Sequence, residues 1–213
     1  MNENELKKIA IKIDECLKTN DLSQAEKHAN TVLKFNRSAG LAYKGVIALR
    51  QNDYDLAEAY LLESFQLNGK QNLALANLIP AYIKKRDFKK AVAFGEQAFS
   101  VMPQNESVAI NFAAALLQEQ SYSKALEVLN PFYKAEAPNV SVLSGLISCY
   151  RSLFMKQEAD ELLEVAEKFF GDKHEIIRLK ADTLAERSPQ QALDAFKAAL
   201  EKDPDNIATK WNM

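Results

Sequence analysis

The sequence predicts an all-α solenoid of stacked helix-turn-helix repeats, on three observations. A short motif returns at a constant interval of 34 residues. Apolar side chains recur at spacings of three, four and seven, which mark helices rather than strands. Gly and Pro are scarce, six of each in 213 residues, so a sheet built on tight turns is disfavoured.

The motif is a polar turn, an aromatic residue and then Ala three positions later. It occurs as NDYDLA ending at Ala57, RDFKKA ending at Ala91 and QSYSKA ending at Ala125. Ala159 extends the series, and the differences 91−57, 125−91 and 159−125 are each 34. Ala25 lies 32 before Ala57 and Ala192 lies 33 after Ala159, which makes six units in one frame. Such internal periodicity is the signature of a stacked-repeat architecture. Within a unit, two amphipathic helices are expected. In the third, Leu75, Leu78 and Tyr82 form one apolar face, and Ala91, Phe94, Ala98 and Phe99 form the next. Small residues at fixed places let helix backbones approach where they cross.

The order large-x2-large-small-x2-large, then Ala-x3-large-x2-small and often Pro, resembles the tetratricopeptide repeat. The fifth unit supplies Leu143, Leu146, Ile147, Tyr150, Ala159, Leu163 and Ala166; the sixth closes with Ala192, Phe196, Ala199 and Pro204. The resemblance covers nearly the whole chain and implies a right-handed α-solenoid of stacked tetratricopeptide repeats, a single domain over 1–213. Its units fall at about 6–37, 38–71, 72–105, 106–139, 140–172 and 173–206, with the truncated start of a seventh at 207–213. Lys44 and Gly95 depart from the pattern, standing where a large apolar and an aromatic residue are usual. Ile79 and Ile147 replace the small residue of the first helix.

By the same resemblance, the second, fifth, ninth and twelfth positions of each unit face a concave groove. In the four central units these are Ala39, Ala42, Val46 and Leu49; Leu73, Ala76, Pro80 and Ile83; Ser107, Ile110, Ala114 and Leu117; and Ser141, Ser144, Ser148 and Arg151. Only Arg151 of these sixteen is charged, against 26% of the chain. Such an imbalance favours a surface meant to be covered. The sixth position holds Asn77, Asn111 and Asn212, interrupted by Tyr43 and Gly145. This resembles the asparagine ladder of the O-GlcNAc transferase superhelix, where amides that both donate and accept read a peptide's main chain. Pro80 removes a donor in mid-helix, leaving the carbonyl of Ala76 without its helical partner. Lys18, Arg50 and Lys84 form a basic edge, although a cation in a helix's last turn is favoured by the helix dipole in any case. Ser141, Ser144, Ser148 and Ser152 form a hydroxyl stripe suited either to a partner's backbone or to tight packing. The clamp that captures chaperone C-termini is absent, because its positions carry Ala10, Asp14, Tyr43, Leu73 and Asn77.

Composition narrows the partners. The net charge of −2 gives no basic excess, so nucleic acid is not expected. No run reaches the ~18 apolar residues a membrane span requires. Cys16 and Cys149 are too few for a disulfide framework, which suits a reducing, cytoplasmic location. His28 and His174 lack neighbours at metal-ligand spacing, and no phosphate-binding loop or nucleophile elbow occurs. Neither catalytic residues nor cofactors are expected. The sequence therefore reads as a protein-interaction module whose groove takes an extended, largely uncharged polypeptide. Two alternatives accompany that reading. The repeats could recruit substrate for a glycosyltransferase- or sulfotransferase-type domain beyond residue 213, or they could form a scaffold self-associating through an uncapped C-terminal end.

Overall fold

The structure, a computed structural model, describes residues 3–171, 173–185 and 188–202, and no strand occurs among them. Helices come in consecutive pairs: α1 (Glu3–Lys18) with α2 (Leu22–Phe35), α3 (Arg37–Arg50) with α4 (Tyr54–Leu67), and α5 (Asn72–Lys84) with α6 (Phe88–Val101). Next come α7 (Glu106–Gln118) and α8 (Tyr122–Leu129), then α9 (Val140–Ser152) with α10 (Lys156–Phe170), and α11 (His174–Leu184) with α12 (Pro189–Lys202). Pro131 sits in a short 3-10 turn, Asn130–Phe132, at which α8 stops after eight residues. Asn212 and the rest of the expected seventh unit, and Pro204, lie outside the described residues.

The turn within each of the first five pairs follows one geometry. Asn20, Asn52, Arg86, Gln120 and Phe154 all have φ between 57° and 61°, the left-handed region. The next residue's N–H then reaches back to a carbonyl of the preceding helix, as in Asp53 N to Ala48 O at 3.0 Å and Asp87 N to Tyr82 O at 2.9 Å. That bond satisfies a carbonyl the helix end would otherwise orphan. The same residue begins the second helix. Asp21, Asp53 and Asp87 each accept from a backbone N–H three residues on, at 3.0, 3.0 and 3.2 Å. One residue thus closes a helix and opens the next. Asp53→Ala is expected to cost about 1 kcal/mol, read as a lower urea midpoint with unchanged slope.

The chain divides into two compact units, 1–115 and 116–213. In the first, α3 packs against α2, α4 and α5, and α5 against α4 and α6. Its core gathers Ala42, Leu61, Leu75, Leu78, Ile79, Tyr82, Ala91 and Ala98. Tyr82 is 2% exposed and stacks on Phe94 with centroids 5.4 Å apart. Its hydroxyl donates to Glu58 at 2.9 Å, and Lys85 binds the same carboxylate and Asp55. The bond from Lys85, aided by Tyr82, holds the Glu58 carboxyl below the usual range against the opposing effect of burial.

Two of the departures from the repeat pattern, Lys44 and Gly95, have partners here. Lys44 donates to Glu26 at 2.7 Å and to Asn30 at 3.1 Å, with its ammonium 5.3 Å above the Tyr60 ring. Its stem packs as an apolar residue would while its charge is matched. Gly95 is buried where Phe112 of the next pair fills the space, and a Cβ there would come within 2.3 Å of the ring. Between α3 and α4, Ser38 donates to the Ser64 carbonyl at 3.0 Å and Ser64 to the Ser38 carbonyl at 2.7 Å. This reciprocal pair lets two buried hydroxyls cross a close helix contact without an unmet polar atom.

In the second unit, α9 packs on α8, α10 and α11, and α11 on α10 and α12. Leu143, Ile147, Leu163, Ala166, Ile176 and Leu179 make one core, and Ala181, Ala192 and Phe196 another. Repeat alanines Ala25, Ala57, Ala91, Ala125, Ala159 and Ala192 are all buried. The contact of α3 with α5, and of α9 with α11, makes first helices of successive pairs neighbours, as a solenoid requires.

Candidate functional site

The first helices carry the residues expected to meet a partner. In the first unit, Val46, Leu49, Ala76, Pro80, Ile83, Ile110 and Ala114 are half-buried, as are Tyr43, Asn77 and Asn111. A helix face at this level of exposure is apolar yet accessible. Arg50 and Lys84 are exposed at helix ends. Ala42 does not fit its expected role: it is fully buried within the core of the first unit and cannot touch a guest. Position-based assignment failed there because α3 lies close against both α4 and α5.

Asn77 uses part of its amide internally, donating to the Leu73 carbonyl at 2.8 Å. One N–H and the amide oxygen remain. Helix α5 continues through Pro80 to Lys84, so the missing donor opposite Ala76 is accommodated without ending the helix. A cavity of about 210 Å³ lies between α1, α2 and α3, lined by Leu6, Ala10, Val32, Asn36, Ala39 and Tyr43. Burial and then the Asp14 charge raise the Tyr43 hydroxyl above its ordinary pKa, so it stays a neutral hydrogen-bonding group.

In the second unit Leu117, Ser148 and Arg151 are half-buried. Ser144 departs from expectation in being 9% exposed, with its Oγ unpartnered. Ser148 donates to the Ser144 carbonyl at 2.7 Å. The hydroxyl stripe thus serves internal contacts in part. Arg151 donates to the Asp182 carbonyl at 2.6 Å, and Arg178 to the Asp182 carboxylate at 2.8 Å. Together with Ser148, Ser152 and Phe154 they border a cavity of about 340 Å³.

Phe154, Arg178 and Asp182 escape the repeat-position reading. Phe154 carries a usable signal, since its equivalents Asn20, Asn52, Arg86 and Gln120 are all polar. Arg178 and Asp182 are joined to Arg151 only by folding.

Among the described residues, no group of three or more His, Cys, Asp or Glu could hold a metal ion. Cys149 is buried, and desolvation pushes its thiol pKa up to about 11, which makes it an inert packing group. No described helix is long and apolar enough to cross a membrane.

No family model matches the sequence, and no curated protein does. Solved structures match it well. A thermophilic TPR protein of Thermus thermophilus superposes with a TM-score of 0.64 at 19% identity, covering 81% of this chain and 95% of that one. YrrB, described as a TPR protein with an unusual peptide-binding site, gives 0.63 at 16% identity over 85% and 95%. A tetratricopeptide repeat protein from Parabacteroides merdae gives 0.63 at 15% identity over 98% and 97%. Identities this low establish likeness of fold. With its paired helices, recurrent left-handed turns and neighbouring first helices, the chain is an all-α solenoid with the tetratricopeptide-repeat fold.

Proposed function

We propose that this chain is a protein-interaction module that holds an extended, largely uncharged polypeptide against the open faces of its first helices. One observation carries the reading. Of the sixteen positions assigned to those faces, all but Ala42 and Ser144 stay at least partly accessible, and only Arg151 is charged. Accessible apolar surface along the first helices of a unit is a feature of interaction sites. The peptide-binding site of YrrB supports the same use of the fold, here built on six repeats and the start of a seventh. The buried thiol of Cys149 accords with a cytoplasmic setting.

Recognition on this reading combines burial on Val46, Leu49 and Ile83 with main-chain contacts from Asn77 and Asn111, all within the first unit. Arg50 and Lys84 flank the guest. The test is titration of the full chain with a short uncharged peptide rich in Ser, Ala and Val. Asn77→Ala with Asn111→Ala is expected to weaken binding about tenfold, the loss of one or two net hydrogen bonds, while far-ultraviolet circular dichroism stays the same. Equal affinity in the two proteins would remove the asparagines from the site.

A further inference from the structure

The second unit breaks its own turn rule at one place. Where other turns place Asn20-Asp21, Asn52-Asp53, Arg86-Asp87 and Gln120-Ser121, the α9–α10 turn has Phe154-Met155. Phe154 holds φ 61°, a conformation in which Asn is tolerated and an aromatic residue is disfavoured. Met155 stands at the N-cap of α10 and offers no side-chain cap bond. Phe154 nevertheless projects to 83% exposure, so its ring gains no core burial in return. Local rules broken without a structural gain are expected at functional sites.

Beside that ring lies the 340 Å³ cavity bordered by Arg151, Arg178 and Asp182. Each guanidinium has five N–H donors, and the hydrogen bonds to Asp182 at 2.6 and 2.8 Å engage one on each. Asp182 also ties the two arginines to one oxygen-bearing residue, which orders them across α9 and α11. Among the residues lining the cavity, two guanidinium groups and one carboxylate leave one positive charge in excess. That charge matches a monoanion. A dianionic phosphate would meet the Asp182 carboxylate with excess charge.

We infer that this cavity seats an acidic side chain of a bound polypeptide, with an aromatic or large apolar neighbour of that residue resting on Phe154. The inference rests on the interaction-module reading above and adds a specific anchor to it. Arg151 and Arg178 form charge-assisted hydrogen bonds to the guest carboxylate, which are stronger than neutral ones. Phe154 supplies flat apolar area at the cavity rim.

The test uses the full chain and four Ser/Ala-based peptides followed by calorimetry. Three have a central pair of Glu-Phe, Gln-Phe or phosphoserine-Phe, and the fourth is the uncharged peptide used above. The Glu-Phe peptide is expected to bind about tenfold tighter than Gln-Phe, an advantage that falls as salt rises. Phe154→Asn, alone or with Met155→Asp, is expected to lose about tenfold in Glu-Phe affinity. The same substitutions should raise the unfolding midpoint, since they restore the residues the turn and cap prefer. A purely structural Phe154 would give the opposite stability result. Equal binding of Glu-Phe and Gln-Phe, tighter binding of the phosphoserine peptide, or full affinity in Phe154→Asn each overturns the inference. If the uncharged peptide binds while Glu-Phe gains nothing, the anchor alone is lost. If no peptide binds the folded chain, the interaction-module reading goes too.

Discussion

Tyr82→Ala is expected to remove about 3–5 kcal/mol of stability, the range for deleting a buried aromatic side chain. Tyr82 is almost wholly enclosed and its side chain meets three other groups. Phe94 stacks against it, and the Lys90 ammonium stands 5.1 Å from its centroid. Glu58 takes its hydroxyl proton in a hydrogen bond. Alanine would leave a cavity in the first unit that α4, α5 and α6 cannot close without moving. Tyr82→Phe separates the contributions: it keeps the ring and removes only the hydroxyl, and Glu58 retains Lys85. That variant should cost about 1 kcal/mol. Urea denaturation of the two variants would check both figures, and similar losses in the two would refute the packing account.

Gly40→Ala is expected to destabilise by about 1–2 kcal/mol even though alanine is the better helix former. A Cβ at Gly40 would stand 2.4 Å from Leu33 Cα and 2.6 Å from Leu33 N. These are backbone atoms of α2, so relief requires α2 and α3 to separate. Overpacking of this kind costs roughly 1–3 kcal/mol and sometimes more, offset by the ~1 kcal/mol helix preference of Ala over Gly. The comparison is Gly69→Ala, where the added Cβ would meet nothing within 4 Å. Thermal unfolding of the pair should show a clear drop for Gly40 alone; a rise at Gly40 would mean the helices are free to part.

The frame of the repeat was legible because it is written in local chemistry. Ala57, Ala91 and Ala125 each follow a polar turn by a set distance, and each is buried where helices cross. Lys44 and Gly95 looked like flaws because their explanations lie elsewhere in the chain. Lys44 needs Glu26 and Asn30 from α2, and Gly95 needs the Phe112 ring from α7. Pro131 falls in the 3-10 turn at which α8 stops, a break that the repeat interval does not mark. At the proposed faces, position in the repeat implies which side of a helix a residue takes but not how deep it sits. Ala42 and Ser144 therefore share a stripe with accessible residues and are themselves enclosed. The Arg151, Arg178 and Asp182 cluster spans 31 positions from first to last, and no periodicity signals a pairing made only by tertiary contact.

Within each unit, every helix leans on partners next to it or one removed along the chain. Bringing such partners together closes only short loops, so little entropy is lost before contacts repay it. Low contact order of this kind goes with rapid folding. A nascent chain could thus consolidate helix pair by helix pair as it is synthesised, with no distant segment to await.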